Sequence, residues 1–556
     1  MQDLSRTVSH GTVQHPLPPE EEVVYPQLTT AGPHTDAFLE TSATGLVLAT
    51  EAEPHATLSP SSPSSTHPAH RSQSTLVSSP VTKGDLEKGG KDEDVKLVTW
   101  TDKDAENPRN WTHAKKWTQV LLASLLCFTA GFSSAIVTGG MPEMAAGFHV
   151  SEEVINLVVT VFVVGFGLGP LFQSPLSEIF GRRIVYICCM FFHFVFMIPE
   201  CVSDSVAVLM VFRFLSGLSV AGVMCNAAGT IGDVFAINER GNKMATFSAI
   251  LFASPCLGPL VGGWIVVGTG SYKWIWWTLL IFSGVVTVVS YLFLVETYSP
   301  TLLRWRATKL RQETGDENIV TEQERMRRPF SEIANESLLR PLVMLVKEPI
   351  MTFFSLYLCL IYGLLYGFFF AYPIVFSPHG WNAGEIGLAF LSILLGIFLV
   401  AVTACPLQER YYQRQVLKHK GNPPPEARLP LMMVCCVVLP VSLFIFAGTS
   451  VEGVHPAGLL VSGVMFGYSL VGIYISANTY LAVVFSRYAA SAMAAKTFLR
   501  SMAGASMPMW VPPMYSSIGH WWSGATFAFI SVAMSPIPFI FFVYGDKIRG
   551  KSKMAT

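Results

Sequence analysis

The sequence is short of charge. Only 13% of its 556 residues are Asp, Glu, Lys or Arg, against roughly 25% in ordinary soluble domains. Positive and negative groups almost cancel, leaving a net charge of −1. With no basic excess there is no electrostatic footprint for nucleic acid. The chain lacks a Gly-rich phosphate loop ending in Lys-Ser/Thr, so a nucleotide-driven machine is not expected. It also lacks a Ser/His/Asp or metal-ligand constellation in its loops, so neither an enzyme nor a metal or other cofactor is expected. Ten cysteines are present, all in or beside apolar runs, where a thiol serves as a small packing group rather than a disulfide partner. Met1 is followed by polar residues and not by a basic then apolar leader, so no cleavable signal peptide is expected.

What the chain has instead is hydrophobic length: 51% of residues are apolar or aromatic. A bilayer core needs about 20 apolar residues per helix. Runs of that kind lie near 117–139, 154–176, 184–203, 206–234, 244–268 and 274–295, and again near 349–376, 385–406, 429–449, 457–484, 489–515 and 521–544. The expected class is an all-α integral membrane protein of twelve transmembrane helices.

Loop charge sets the orientation. One set of loops carries Arg182 and Arg183, Arg240 and Lys243, then Arg410, Arg414, Lys418, Lys420 and Arg428, then Arg487, and finally Lys547, Arg549, Lys551 and Lys553. The opposite set carries Glu143, Glu152, Glu153, Asp204, Glu452, His379, His455 and His520, with Lys273 as its clear cation. The alternation fits an even number of spans with both termini in the cytoplasm; a plasma-membrane location and a monomer are separate expectations. Sequons at Asn110 and Asn335 fall on the cytoplasmic side and should stay unmodified.

Residues 1–97 are rich in Ser, Thr, Pro and His and cannot bury enough apolar area to offset their ordering entropy, so a disordered cytoplasmic tail is expected there. Residues 98–296 and 349–545 then form two six-helix bundles. Residues 297–348 form a polar cytoplasmic linker between them, and 546–556 a short C-terminal tail.

Three motifs carry chemistry. The turn after span two reads Ser174-Pro-Leu-Ser-Glu-Ile-Phe-Gly-Arg-Arg183: a tight turn at Gly181, two cations at headgroup level, and Glu178 just inside the helix end. Arg213 lies a few residues into span four, and Asp233 closes that helix on the cytoplasmic side. A guanidinium within a span is costly unless paired or wet, so it is a functional candidate. Span five contains Pro255, Gly258, Pro259, Gly262 and Gly263; the prolines remove backbone donors and should bend the helix, while the glycines permit close packing.

In this order the motifs resemble those of the major facilitator superfamily. The span-two loop is similar to its G-x-L-x-D-R-x-G-R-R pattern, with Ser174 in place of the glycine, Glu178 of the aspartate and Ile179 of the arginine. The span-five run resembles the Gly-Pro-x-x-Gly-Gly signature of the drug:proton antiporter branch. Asp104-Ala-Glu-Asn-Pro-Arg-Asn-Trp111, Glu296-Thr-Tyr-Ser-Pro-Thr-Leu-Leu303 and Tyr488-Ala-Ala-Ser-Ala492 look like segments of its fungal twelve-span members, which include multidrug, polyamine and secondary-metabolite exporters. The resemblance implies the two-bundle fold of that superfamily. It also implies roles for Glu178, Gly181, Arg182, Arg183, Arg213 and Asp233 in proton coupling or latching, and a proton gradient as energy source. Many relatives carry an Asp where this chain has Val483, which argues against polyamines.

Candidate cavity residues are Gln173, His193, Asn226, Asn478, Tyr362 and Tyr366. Tyr357, Phe370 and Tyr372 share the helix of the last two, and about half of these rings are expected to face lipid. Glu200, near the outer end of span three, is expected to be solvated. A cavity poor in charge and rich in rings favours a neutral or weakly acidic hydrophobic small molecule, exported in exchange for protons by alternating access. The alternatives are a polyamine, organic-acid or nutrient transporter, and a nutrient receptor of the same fold that signals without transport.

Overall fold

The helices start and stop where local chemistry tells them to. Thr112 caps span one, accepting from the Lys115 amide. Asn382 and Glu385 form a reciprocal capping box at the start of span eight, satisfying amides that the first helical turn leaves unpaired. Gly270, with φ at +64°, ends span five. The computed structural model describes residues 76–77 and 96–555, apart from short gaps at 102, 237–238, 326–329, 422, 452 and 553.

Six long helices form the first half: His113–Ala135, prolonged by short helical turns to Phe148, then Glu152–Phe180, Arg182–Val202, Val206–Val234, Arg240–Thr269 and Lys273–Phe293. The second half begins with Pro349–Phe376, Ala383–Val402, Pro430–Thr449 and Ala457–Val484. The last stretch, Ala489–Met534, is a single run broken at Gly519, whose φ of 78° and ψ of 168° reverse the chain. Among the described residues eleven helices are therefore long and apolar enough to cross a membrane, and the final one folds back on itself to supply two crossings. Twelve spans result, numbered here in chain order, with the second arm of the hairpin continued by Pro536–Arg549.

Large apolar side chains cover the outer faces. Ile281, Val285, Val288 and Leu292 stand exposed on span six, as do Leu395 and Phe398 on span eight and Val434, Val437 and Val441 on span nine. An apolar belt of this extent belongs against lipid. Span seven is different: Tyr357, Tyr362, Tyr366, Phe370 and Tyr372 are all buried. The expected lipid-facing half of these rings is not found, because this helix lies at the centre and packs against span eleven on one side and other rings of its own half on another.

The halves meet along two seams. Span two lies on span eleven, where the Thr160 hydroxyl donates to the Ala505 carbonyl at 2.9 Å and Asn156 reaches the Pro508 carbonyl at 3.5 Å. That carbonyl is free because Pro512, one turn on, has no amide to donate. Span five lies on span eight. A side chain at Gly387 would stand 2.7 Å from the Pro259 carbonyl and the Leu260 backbone, so only glycine allows this approach. Span five runs unbroken as helix through Pro255 and Pro259, and Gly258 and Gly262 place its other face against Ala135 and Ile136 of span one.

The linker carries helices Ser299–Thr314 and Phe330–Lys347 and a short strand, Ile319–Val320. Lys96–Val98 pairs with that strand in parallel, and Leu76–Val77 pairs with Lys96–Val98 antiparallel. The expected disordered tail over 1–97 falls largely outside the described residues. Within it, these two short strands depart from the expectation, since the linker offers a strand edge that aliphatic residues can extend. Lys96 pairs with Asp316 at 2.8 Å, and Arg306 holds Asp104. All ten cysteines are free thiols, seven of them buried.

Candidate functional site

Three polar clusters interrupt the apolar interior. The first sits at the linker end, around the turn between spans two and three. Gly181 takes φ at +96°, a backbone favouring glycine, and a side chain there would collide with the Glu296 carboxylate. Glu296 is buried and accepts from the Arg182 amide at 3.0 Å, the Arg183 amide at 3.1 Å, and its own neighbours Thr297 and Tyr298. Its carboxyl group thus caps the N-terminus of span three, where the first-turn amides lack helical partners. The Arg182 guanidinium turns inward to Asp233 at 3.3 Å, the Ser177 hydroxyl at 2.9 Å and Asn226 Oδ1 at 3.1 Å. Arg183 reaches the Tyr291 carbonyl at 3.5 Å. Glu178 is exposed beside Ser491 and Ala494 of span eleven, on a small cavity of about 40 Å³ between the halves. The motif therefore splits its charges: Arg182 braces the first bundle internally, and Glu178 faces the second.

The second cluster lies deep in the first bundle. Arg213 is fully buried, with one guanidinium nitrogen 3.6 Å from Glu200 and another donating to the Ser133 carbonyl at 3.0 Å. Phe162 and Trp276 present ring faces to it, centroids 4.3 and 5.2 Å from the guanidinium carbon. Glu200 is not solvated as its position near a helix end suggested. It is 2% exposed, because span three packs that turn inward against spans four and six. Neither of its oxygens has a hydrogen-bond partner, so the pair is close but loosely held. His193 is buried beside it, its two ring nitrogens against the Ser133 hydroxyl at 3.2 Å and the Ser216 hydroxyl at 2.9 Å.

The third cluster is the centre of the molecule. Ser134, Phe166, Phe252, Tyr362, Tyr366 and Arg500 line a closed cavity of about 20 Å³, room for roughly one water. The Tyr366 hydroxyl donates to Ser134 at 2.9 Å across the two halves, and the Tyr362 hydroxyl lies 3.5 Å from that of Tyr366. Arg500 stacks on Tyr362 and Tyr474 at 4.7 and 5.2 Å.

Of the six candidate cavity residues, Tyr362 and Tyr366 line this space; the other four do not. Gln173 ties span two to the Leu218 and Ser219 carbonyls of span four. Asn226 serves the Arg182 cluster, His193 the Arg213 cluster, and Asn478 donates to its own helix at the Tyr474 carbonyl. Each is drawn away by a local partner that the sequence pattern does not reveal.

The profile of the Major Facilitator Superfamily matches residues 123–508, more than half of the chain. The chain belongs to the major facilitator superfamily. It is 40% identical to the MFS-type transporter paaT of Penicillium rubens over 84% of this chain and 85% of that one. It is 36% identical to the multidrug transporter mdrA of Aspergillus fumigatus, covering 84% and 77% of the two chains. The solved proton:xylose symporter XylE superposes with a TM-score of 0.58 at 13% identity, covering 78% of this chain and 96% of that one; this likeness concerns the fold. The protein is a multi-pass membrane transporter rather than an enzyme.

Within this superfamily fold the reading of residues one by one placed Glu200 in solvent and passed over Glu296, Lys496 and Arg500. Two of these had a visible signal. Lys496 and Arg500 are one turn apart inside an apolar run, the pattern that flags an intramembrane charge. Glu296 stood in a quoted motif, but its task as a helix cap depends on a fold that brings it across 114 residues to Arg182.

Proposed function

We propose that this superfamily member is a plasma-membrane exporter that exchanges a hydrophobic small molecule for protons, with both termini in the cytoplasm. The observation carrying this reading is the Glu200–Arg213 pair, an acid and a base buried among spans one to six with the carboxylate unsatisfied by hydrogen bonds. Burial penalises an isolated charge, and an acid so placed takes up a proton whenever its cation moves away. A path of contacts joins the pair to the centre. Arg213 holds the Ser133 carbonyl, the next residue Ser134 accepts from Tyr366, and Tyr366 neighbours Tyr362 beneath Arg500. Protonation of Glu200 would loosen Arg213 and with it the span-one segment that faces the cavity.

The name of one relative supports export: MFS2 of Trichophyton rubrum, 36% identical, is called an efflux pump. Alternating access would proceed by rocking of the halves about the central cavity, with the close span-two/eleven and span-five/eight seams parting at the end away from the linker. In proteoliposomes, a pH gradient should drive movement of a hydrophobic test compound, and an uncoupler should abolish it. Glu200→Gln should keep substrate exchange at equal pH while losing accumulation against a gradient. Accumulation that survives both the uncoupler and Glu200→Gln would sink the antiport reading.

A further inference from the structure

Buried cations in this protein come in two kinds. Arg182 and Arg213 each have a carboxylate partner within the first half. Lys496 and Arg500 of span eleven do not. Lys496 is 4% exposed and Arg500 2%, and among the described residues no carboxylate pairs with either. Arg500 Nε and Nη1 have no hydrogen-bond partner, and the Lys496 ammonium lies 5.4 Å from the centre of the Tyr474 ring. Two like charges one helical turn apart with no counter-charge repel each other and are costly to bury. A protein keeps such an arrangement where something from outside supplies the missing charge. Arg500 itself lines the central cavity, together with Tyr362, Tyr366, Phe166 and Phe252. The same wall therefore offers a forked cation, hydroxyls and flat ring faces.

We propose that the central site takes an organic anion, an aromatic or similarly apolar carboxylate, with Arg500 as its direct ion-pair partner and Lys496 adding to the positive field behind it. A guanidinium suits a carboxylate because its planar donors match both oxygens, while the ring faces take the apolar body. The cavity in its closed state has room of about 20 Å³, so the aryl group enters as the halves part. This inference rests on the cavity being the transport site proposed above, and it narrows the hydrophobic substrate to one that carries a negative charge.

The test uses the full-length chain in nanodiscs with three probes of one shape: 2-naphthoate, its neutral amide 2-naphthamide, and the cation 2-naphthylmethylammonium. A charge-assisted pair in a buried site favours the anion by roughly tenfold or more over the amide, and the cation should not compete. Arg500→Gln and Lys496→Met should each erase most of that preference while leaving naphthamide binding in place, and Arg500→Lys should restore part of it. Because Lys496→Met removes an unpaired buried charge, its melting temperature should hold or rise. Competition by the cation equal to that of naphthoate would overturn the proposal, as would folded variants with an unchanged anion preference. A fall in melting temperature together with loss of both naphthoate and naphthamide would mark Lys496 as structural and overturn its part. Proteoliposome flux separates this inference from the one beneath it. Naphthoate bound with charge preference but never moved by a pH gradient would defeat the transport reading and leave the anion site standing. Proton-driven flux of naphthoate that is indifferent to Arg500→Gln would do the reverse.

Discussion

The two halves of the transporter handle their most deeply buried charges in opposite ways, although the part-buried Arg428 of the second half is paired with Glu409 at 2.9 Å. In the first half, cations at both depths are matched: Arg213 by Glu200, and Arg182 by Asp233 with Ser177 and Asn226. In the second half, Lys496 and Arg500 are packed away against Tyr474 and Tyr362 with no acid among the described residues. A matched pair is complete within its own bundle and can only be changed by protons or by movement. An unmatched pair is incomplete until a ligand arrives. The contrast is the ground on which we propose energy coupling for the first half and substrate charge for the second.

The largest effect should come from breaking the deepest match. Arg213→Ala strands Glu200 in the interior, and a loss of about 3–5 kcal/mol is expected for a broken buried pair. Thermal unfolding in detergent reads this directly, and the double variant Arg213→Ala with Glu200→Ala should recover part of the loss. If the double variant is no better than the single, the pair is not a pair.

Asp233→Asn should cost less, roughly 1–3 kcal/mol for a charged hydrogen bond, since Arg182 keeps Ser177 and Asn226. Its signature is a fall in transport rate larger than the fall in stability, measured on the same preparation. On the unmatched side, Arg500→Gln should leave the unfolding temperature unchanged or raise it. The roughly 0.5–2 kcal/mol of ring contact it gives up is offset by relief of an uncompensated cation. A drop as large as that of Arg213→Ala would erase the comparison.

The smallest effect is expected outside the spans, where Arg306 holds Asp104 beside the linker helix. Partial burial pushes the Asp104 carboxyl up, but hydrogen bonds from Arg306 and from the Glu106 amide outweigh it and bring the group below its ordinary range. A lowered folded value means the contact contributes fully above the unfolded value of 3.8 and fades as pH falls through the folded one. Asp104→Asn should therefore cost under about 1 kcal/mol at neutral pH. Limited proteolysis around residues 96–104 should show it as faster cleavage, with wild type approaching the variant only in acid.

Glycine and proline show how far local pattern carries. The span-five glycines announced close packing, and they do pack, against span one on one face and span eight on another. The prolines in that run lie inside one continuous helix, Arg240–Thr269. Gly519 gave no such announcement, and it alone turns one 46-residue run into the last two crossings.

Twelve apolar runs, a polar linker and the ordered motifs on spans two, four and five are properties of the chain itself. Bilayer thickness fixes helix length, and backbone groups in lipid must pair within the helix, so the architecture was legible without any long-range contact. Which charges find partners was not. Glu200 meets Arg213 across 13 residues, Glu296 meets Arg182 across 114, and Lys496 and Arg500 meet no carboxylate at all among the described residues. Pairing depends on how neighbouring helices are rotated and on which face each turns inward. Packing of whole helices decides that, and so only the tertiary structure could separate the buried charges that find a carboxylate from those that do not.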